Sequence, residues 1–247
     1  MKKLIALLLS LVLLLALCGC GSTAAQPAPA SAPEATPDPV PPVEEAAAPE
    51  EAAETAEAAA EAQEVPAGTE NANGTDILVL YFSRTGEQYN VGVIEKGNTA
   101  IVAEMIGEAT GADLYEILPA DDHYPMTYKE LTDVALQEQR EGARPAYAGE
   151  LPDFDRYDTI FIGAPVWWGD WPMILYTVFE STPLEGKTLV PFSTHAGSGL
   201  SGFDRSLAAA YPACTVAEGL AIAGTDAQNN PDQVRSRVGG WLSDLGF

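Results

Sequence analysis

From Asp76 to the C-terminus, short apolar runs alternate with stretches whose apolar residues recur at helical spacing, and this order constrains the fold more than any other property of the chain. The runs at residues 77–82, 112–118, 159–163, 187–192 and 214–222 have the length and β-branched or aromatic content of buried strands. Between the first two, Asn98 is positioned to cap a helix that puts Ile101, Val102, Met105, Ile106 and Ala109 on one face and stops at Gly111. Further helices are predicted over 125–140, from near Pro172, over 202–211, and from the Asn230-Pro231 pair, which reads as N-cap and N1. Strands that alternate with helices must pair in parallel, with helices covering both faces. Right-handed crossovers then predict an α/β, doubly wound five-stranded parallel sheet, and of the common orders for such sheets 2-1-3-4-5 is the one expected.

The first 74 residues obey different rules. Lys2 and Lys3 precede an apolar run that ends in Cys18-Gly19-Cys20, the make-up of an export signal too short to span a bilayer as a stable helix. Leu17, Gly19 and Cys20 resemble the lipobox of bacterial lipoproteins, which implies a signal at 1–19, acylation of Cys20, and a chain held by lipid to the outer, extracytoplasmic face of the cell membrane. A secretory signal cleaved elsewhere or an uncleaved anchor is the alternative. Residues 20–74 are rich in Ala, Pro and Glu and carry no Lys or Arg, so they lack the apolar surface to fold and are expected to form a disordered tether. The folded domain is then 75–247. With Cys18 lost and Cys20 lipidated, Cys214 alone remains; it is expected to serve as a small buried hydrophobe.

Of the formal charge of −24, residues 1–75 account for two lysines and eleven acids, which leaves −15 on the remainder. Such a surface argues against nucleic acid or an anionic membrane as ligand and for redox or other partner proteins with a basic docking face.

Three loops fall at the carboxyl ends of strands one, three and four, the edge where open α/β sheets bind ligands. The first, Ser83-Arg84-Thr85-Gly86, is separated by an insertion at about 87–96 from Gly97-Asn98-Thr99, which opens the helix. Hydroxyls, glycines and a helix N-terminus together suit a phosphate, although a plain strand-to-helix connection has the same composition. The second, Ala164-Pro165-Val166-Trp167-Trp168-Gly169-Asp170-Trp171, places indoles where loops are normally polar. It reads as an aromatic wall or as a plug over the core. The third, Ser193-Thr194-His195-Ala196-Gly197-Ser198-Gly199, can bring backbone N–H groups close to a flat ligand. His195 reads equally as a ligand contact or as a donor to its own backbone, and His123 as a surface-loop residue. No cluster has metal-ligand spacing, and no Ser, His and acid set is placed for nucleophilic catalysis. A phosphate joined to a planar, hydrogen-bonding ring fits the three loops together, and FMN has that shape.

The Pro-x-Trp-Trp-Gly and Thr-His-x-Gly-Ser-Gly patterns resemble the flavodoxin family, over residues 75–247. The resemblance implies that Ser83, Arg84, Thr85, Gly86, Asn98 and Thr99 surround an FMN phosphate. It implies that Pro165, Val166, Trp167 and Trp168 lie along the ribityl chain and isoalloxazine, and that Thr194, His195, Gly197, Ser198 and Gly199 border the ring elsewhere. Two departures stand out: the insertion leaves either Gly86 or Gly97 at the family's glycine position, and no Tyr follows the fourth strand to flank the flavin. The expected function is electron transfer, with acidic surroundings lowering the potential at which the negatively charged reduced flavin forms. An FMN-dependent NAD(P)H or quinone reductase and a flavin-free binding module are the competing readings.

Overall fold

Side-chain alternation along the first strand decides the layering. A computed structural model describes residues 75–247; the export signal, Cys20 and the tether up to Gly74 lie outside the described residues. In β1 (Ile77–Tyr81) and the residue after it, Leu78, Leu80 and Phe82 point to one face and Val79 and Tyr81 to the other. Two cores result, one on each face of the sheet. The first gathers Leu78, Leu80, Phe82, Ile160 and Ile162 with Ile174, Val178 and Leu207; the second gathers Val79, Phe161, Val190 and Phe192 with Val102, Ile106, Val238 and Trp241.

The chain runs through β1, a hairpin of β2 (Gly86–Gln88) and β3 (Gly92–Ile94), α1 (Asn98–Thr110), β4 (Asp113–Glu116) and α2 (Tyr128–Glu141). It continues through β5 (Thr159–Pro165), α3 (Met173–Ser181), β6 (Thr188–His195), α4 (Phe203–Ala210), β7 (Thr215–Val216), β8 (Leu220–Ala223), α5 (Gly224–Asn229) and α6 (Pro231–Leu245). The main sheet is parallel in the order β4-β1-β5-β6-β7, with β8 also on β6. This is the expected 2-1-3-4-5 arrangement with its last strand in two pieces.

The break in the last strand has a local cause. Val216 pairs with Leu189 and Leu220 with Phe192, so three residues on the outer strand face two on β6. Pro191 has no N–H for the ladder, and a Cβ on Gly219 would stand 2.8 Å from the Pro191 carbonyl oxygen and 3.0 Å from its ring.

Other elements differ from expectation at their ends. Strand β6 extends through Thr194 and His195, which therefore belong to the sheet edge and not to a free loop. Helix α1 is flanked by Gly97, and Asn98 is its first residue; the Ser83 hydroxyl accepts the Ala100 N–H at 3.0 Å and caps the helix from outside. Asn230 does precede Pro231, but its side chain donates to Asp226 and does not cap. Cys214 is half-buried, and its thiol donates to the Leu184 carbonyl at 2.7 Å. The inserted residues fold as the β2–β3 hairpin.

Candidate functional site

The loops after β5 and β6 share a cleft, which the first loop reaches only through Asn98; Ser83, Arg84, Thr85, Gly86, Gly97 and Thr99 do not line it. The cleft, of about 210 Å³, opens at the carboxyl edge of the sheet. Asn98 lines it at the start of α1, Pro165, Val166, Trp167 and Trp168 after β5, and Thr194, His195 and Ala196 at the end of β6. Gly224 completes the edge on that side.

The phosphate-loop residues divide by what their side chains touch. Ser83 is buried and its hydroxyl oxygen accepts the Ala100 N–H, and Thr99 is buried with its hydroxyl 2.8 Å from that of Thr194. Thr85 is half-buried, and its hydroxyl has no partner among the described residues. Arg84 turns aside: its guanidinium grips both carboxylate oxygens of Asp122 at 2.7 and 2.8 Å and donates to the Tyr124 carbonyl at 2.9 Å. The Asn98 amide oxygen accepts from Gln228 at 2.9 Å. The Asn98 and Thr99 backbone N–H groups have no intrahelical acceptor and lie at the positive end of the α1 dipole.

The two candidate glycines differ in the same way. A Cβ on Gly97 would overlap the Ser83 hydroxyl and come within 2.7 Å of the Arg84 carbonyl oxygen, so Gly97 allows the loop to close on the helix start. Gly86 has φ +86° and faces Met126, whose carbonyl oxygen would be 2.7 Å from a Cβ there. Its role belongs to the hairpin.

Of the three indoles after β5, two remain for the site. Trp171 is buried, stacked on Phe203 at 3.5 Å between centroids, and its Nε1–H donates to Ser206. Trp167 packs edge-on against Phe82 and Tyr124. Trp168 is 53% exposed at φ +50°, a left-handed conformation that costs a bulky residue about 1 kcal/mol. It is held there by its Nε1–H to the Thr132 carbonyl at 2.8 Å and by a bond from Gln139 to its own carbonyl.

At the end of β6, the Gly197 N–H donates to His195 Nδ1 at 2.9 Å, which leaves the ring proton on Nε2. Burial, and then the charge of Arg237, hold the imidazole below its ordinary pKa. His195 is therefore a neutral donor at neutral pH. Gly197, Ser198 and Gly199 do not line the cleft; Gly197 and Ser198 are exposed, and the Gly199 carbonyl accepts from Ser193.

The cleft also has walls that no motif announced. Gln88 and Tyr89 reach it from the hairpin, and Tyr128, Leu131, Thr132 and Ala135 from α2. Their only trace in the sequence is the insertion itself and the apolar spacing of α2. Nearby, buried Glu138 accepts from His123 Nε2 at 2.8 Å and from the Tyr124 hydroxyl at 3.2 Å, and the Glu138 bond raises the His123 pKa. His123 is exposed, as expected, but it is anchored.

No curated protein matches the chain. Among solved structures, a protein designated a flavoprotein from Bacteroides uniformis is 31% identical over 69% of this chain and 99% of its own, with a TM-score of 0.55. Another so designated, from Bacteroides eggerthii, is 31% identical over 69% of this chain and 98% of its own, with a TM-score of 0.52. A Lactobacillus acidophilus flavoprotein in complex with FMN is 23% identical over 59% of this chain and 91% of its own, with a TM-score of 0.47. The family description Flavodoxin matches residues 76–236, nearly all of the described fold. The chain belongs to the flavodoxin family.

Proposed function

We propose that this flavodoxin-family chain binds FMN and carries electrons between proteins at the outer face of the cytoplasmic membrane, anchored through lipid on Cys20. One observation carries the cofactor reading: a single cleft joins the open N-terminus of α1 to the Trp167–Trp168 wall and the β6 edge. The donor set fits a phosphate at one end. The Thr85 hydroxyl and the Asn98 and Thr99 N–H groups hold it, and Gly97 lets Ser83 and Arg84 close on the helix start beside it. Pro165, Val166, Trp167 and Trp168 present an apolar surface to the ring, and His195 offers it a neutral Nε2–H. Bound FMN supplies one- and two-electron chemistry, while these groups orient it and exclude water. The net charge of −15 on residues 76–247 favours a basic redox partner.

The full chain is expressed in a bacterial host, fractionated, and titrated with FMN. Co-purifying or reconstitutable FMN, with quenched fluorescence, is the expected result; a colourless protein that cannot be reconstituted refutes the cofactor assignment. Reduction only by a protein donor supports the carrier role, and steady turnover of NADH with a quinone replaces it with a reductase. Labelled palmitate should enter the wild type and not Cys20→Ser, and loss of the label should move the chain out of the membrane fraction.

A further inference from the structure

In Ala196-Gly197-Ser198-Gly199 there is no aromatic side chain, so the β6 edge offers a bound ring nothing larger than His195. Yet the cleft has a second aromatic surface. Tyr89 on the inserted hairpin and Tyr128 at the start of α2 both line it, with ring centroids 5.5 Å apart and planes inclined by 38°. Two rings at that spacing form one plate.

The plate is anchored on both sides. The Glu87 N–H donates to the Met126 carbonyl at 2.8 Å, and the Glu87 carboxylate accepts the Tyr128 N–H at 2.9 Å. Gly86 packs so closely on Met126 that no side chain fits between them. Gln88 donates to the Thr85 carbonyl at 3.4 Å, which ties the hairpin back to the phosphate loop. Despite these restraints Tyr89 remains 50% exposed, so a fixed aromatic ring retains apolar area without a partner. Apart from His195, held neutral, the cleft is lined by uncharged residues, which suits an uncharged ring.

We propose that Tyr89 and Tyr128 form a second aromatic wall of the ring pocket, supplied by the insertion and α2 in place of an aromatic residue after β6. The inference rests on the FMN reading of the cleft and adds to it a function for the hairpin: it clasps the ring of the cofactor. A contact with the ring is indifferent to the phosphate, so its loss must weaken FMN and riboflavin alike.

Full-length wild type, Tyr89→Ala, Tyr128→Ala and Tyr89→Phe are titrated with FMN and with riboflavin, followed by flavin fluorescence, with thermal melting as a check on folding. Each Ala variant should weaken both flavins by a similar factor of about tenfold, the scale of a lost stacking contact. Tyr89→Phe should restore affinity. Unchanged affinity in the Ala variants, or a loss confined to FMN, overturns the wall while leaving the FMN reading intact. A wild type that binds neither flavin overturns both. Should Tyr128→Ala not fold, Tyr89→Ala decides the matter, because its half-exposed side chain is not part of the core.

Discussion

Thr99 and Thr194 share a buried hydroxyl–hydroxyl hydrogen bond of 2.8 Å across 95 residues of sequence. It fastens the first turn of α1 to the end of β6, two elements that both line the cleft. Replacing either Thr by Val strands the other hydroxyl in the core and should cost about 1–3 kcal/mol. The double Thr99→Val, Thr194→Val variant should recover much of that loss. Denaturant unfolding of the three variants checks this, and strictly additive losses would show that the pair does not act as a unit.

Gly97 and Gly86 should separate by their effect on the two flavins. Gly97→Ala pushes on Ser83 and the Arg84 backbone, so it should weaken FMN more than riboflavin. Gly86→Ala strains a left-handed residue against Met126 and should lower stability by about 1–3 kcal/mol, with little preference between the ligands. The ratio of FMN to riboflavin affinity in each variant is the measurement; a larger ratio change in Gly86→Ala would reverse the assignment.

The hydroxyls of the first loop should not be equivalent. Ser83→Ala removes the external cap of α1 and should destabilise the fold by about 1 kcal/mol. Thr85→Ala, whose hydroxyl is free for a ligand, should leave melting nearly unchanged and weaken FMN selectively. Melting curves together with FMN titrations distinguish the two outcomes.

His123 makes stability depend on pH. Its hydrogen bond to buried Glu138 raises its pKa above the ordinary value near 6.5, so the folded chain binds the proton more tightly than the unfolded one. The resulting stabilisation is complete below about pH 6.5 and disappears as pH rises through the folded value. His123→Gln should therefore melt below the wild type at pH 6, and the gap should close by pH 9. Because the imidazole is partly exposed the gap will be small, and a gap that widened with pH would contradict the pairing.

Periodicity alone was enough for the layered architecture, because five apolar runs alternating with helical stretches must be buried on both sheet faces; the strand order was a choice among the doubly wound orders, which the same periodicity fits equally. The separation of Trp171 from Trp167 and Trp168 was not legible. All three share one loop, and only the stacking of Trp171 on Phe203 removes it from the site. Arg84 likewise sits among phosphate-loop residues, but Asp122, 38 residues away, takes its guanidinium.

Local chemistry thus determined the fold class, the three loops and the edge at which they meet, since strand length, helical spacing and turn residues act over a few positions. Only the tertiary structure decided which side chains remain available to a ligand. Ser83 and Thr99 are buried and hydrogen-bonded within the protein, while the half-buried Thr85 hydroxyl has no partner among the described residues. The insertion became a hairpin that brings Tyr89 beside Tyr128. Those outcomes depend on hydrogen-bond partners and packing surfaces distant in sequence, and the competition for them is resolved only when the chain closes on itself.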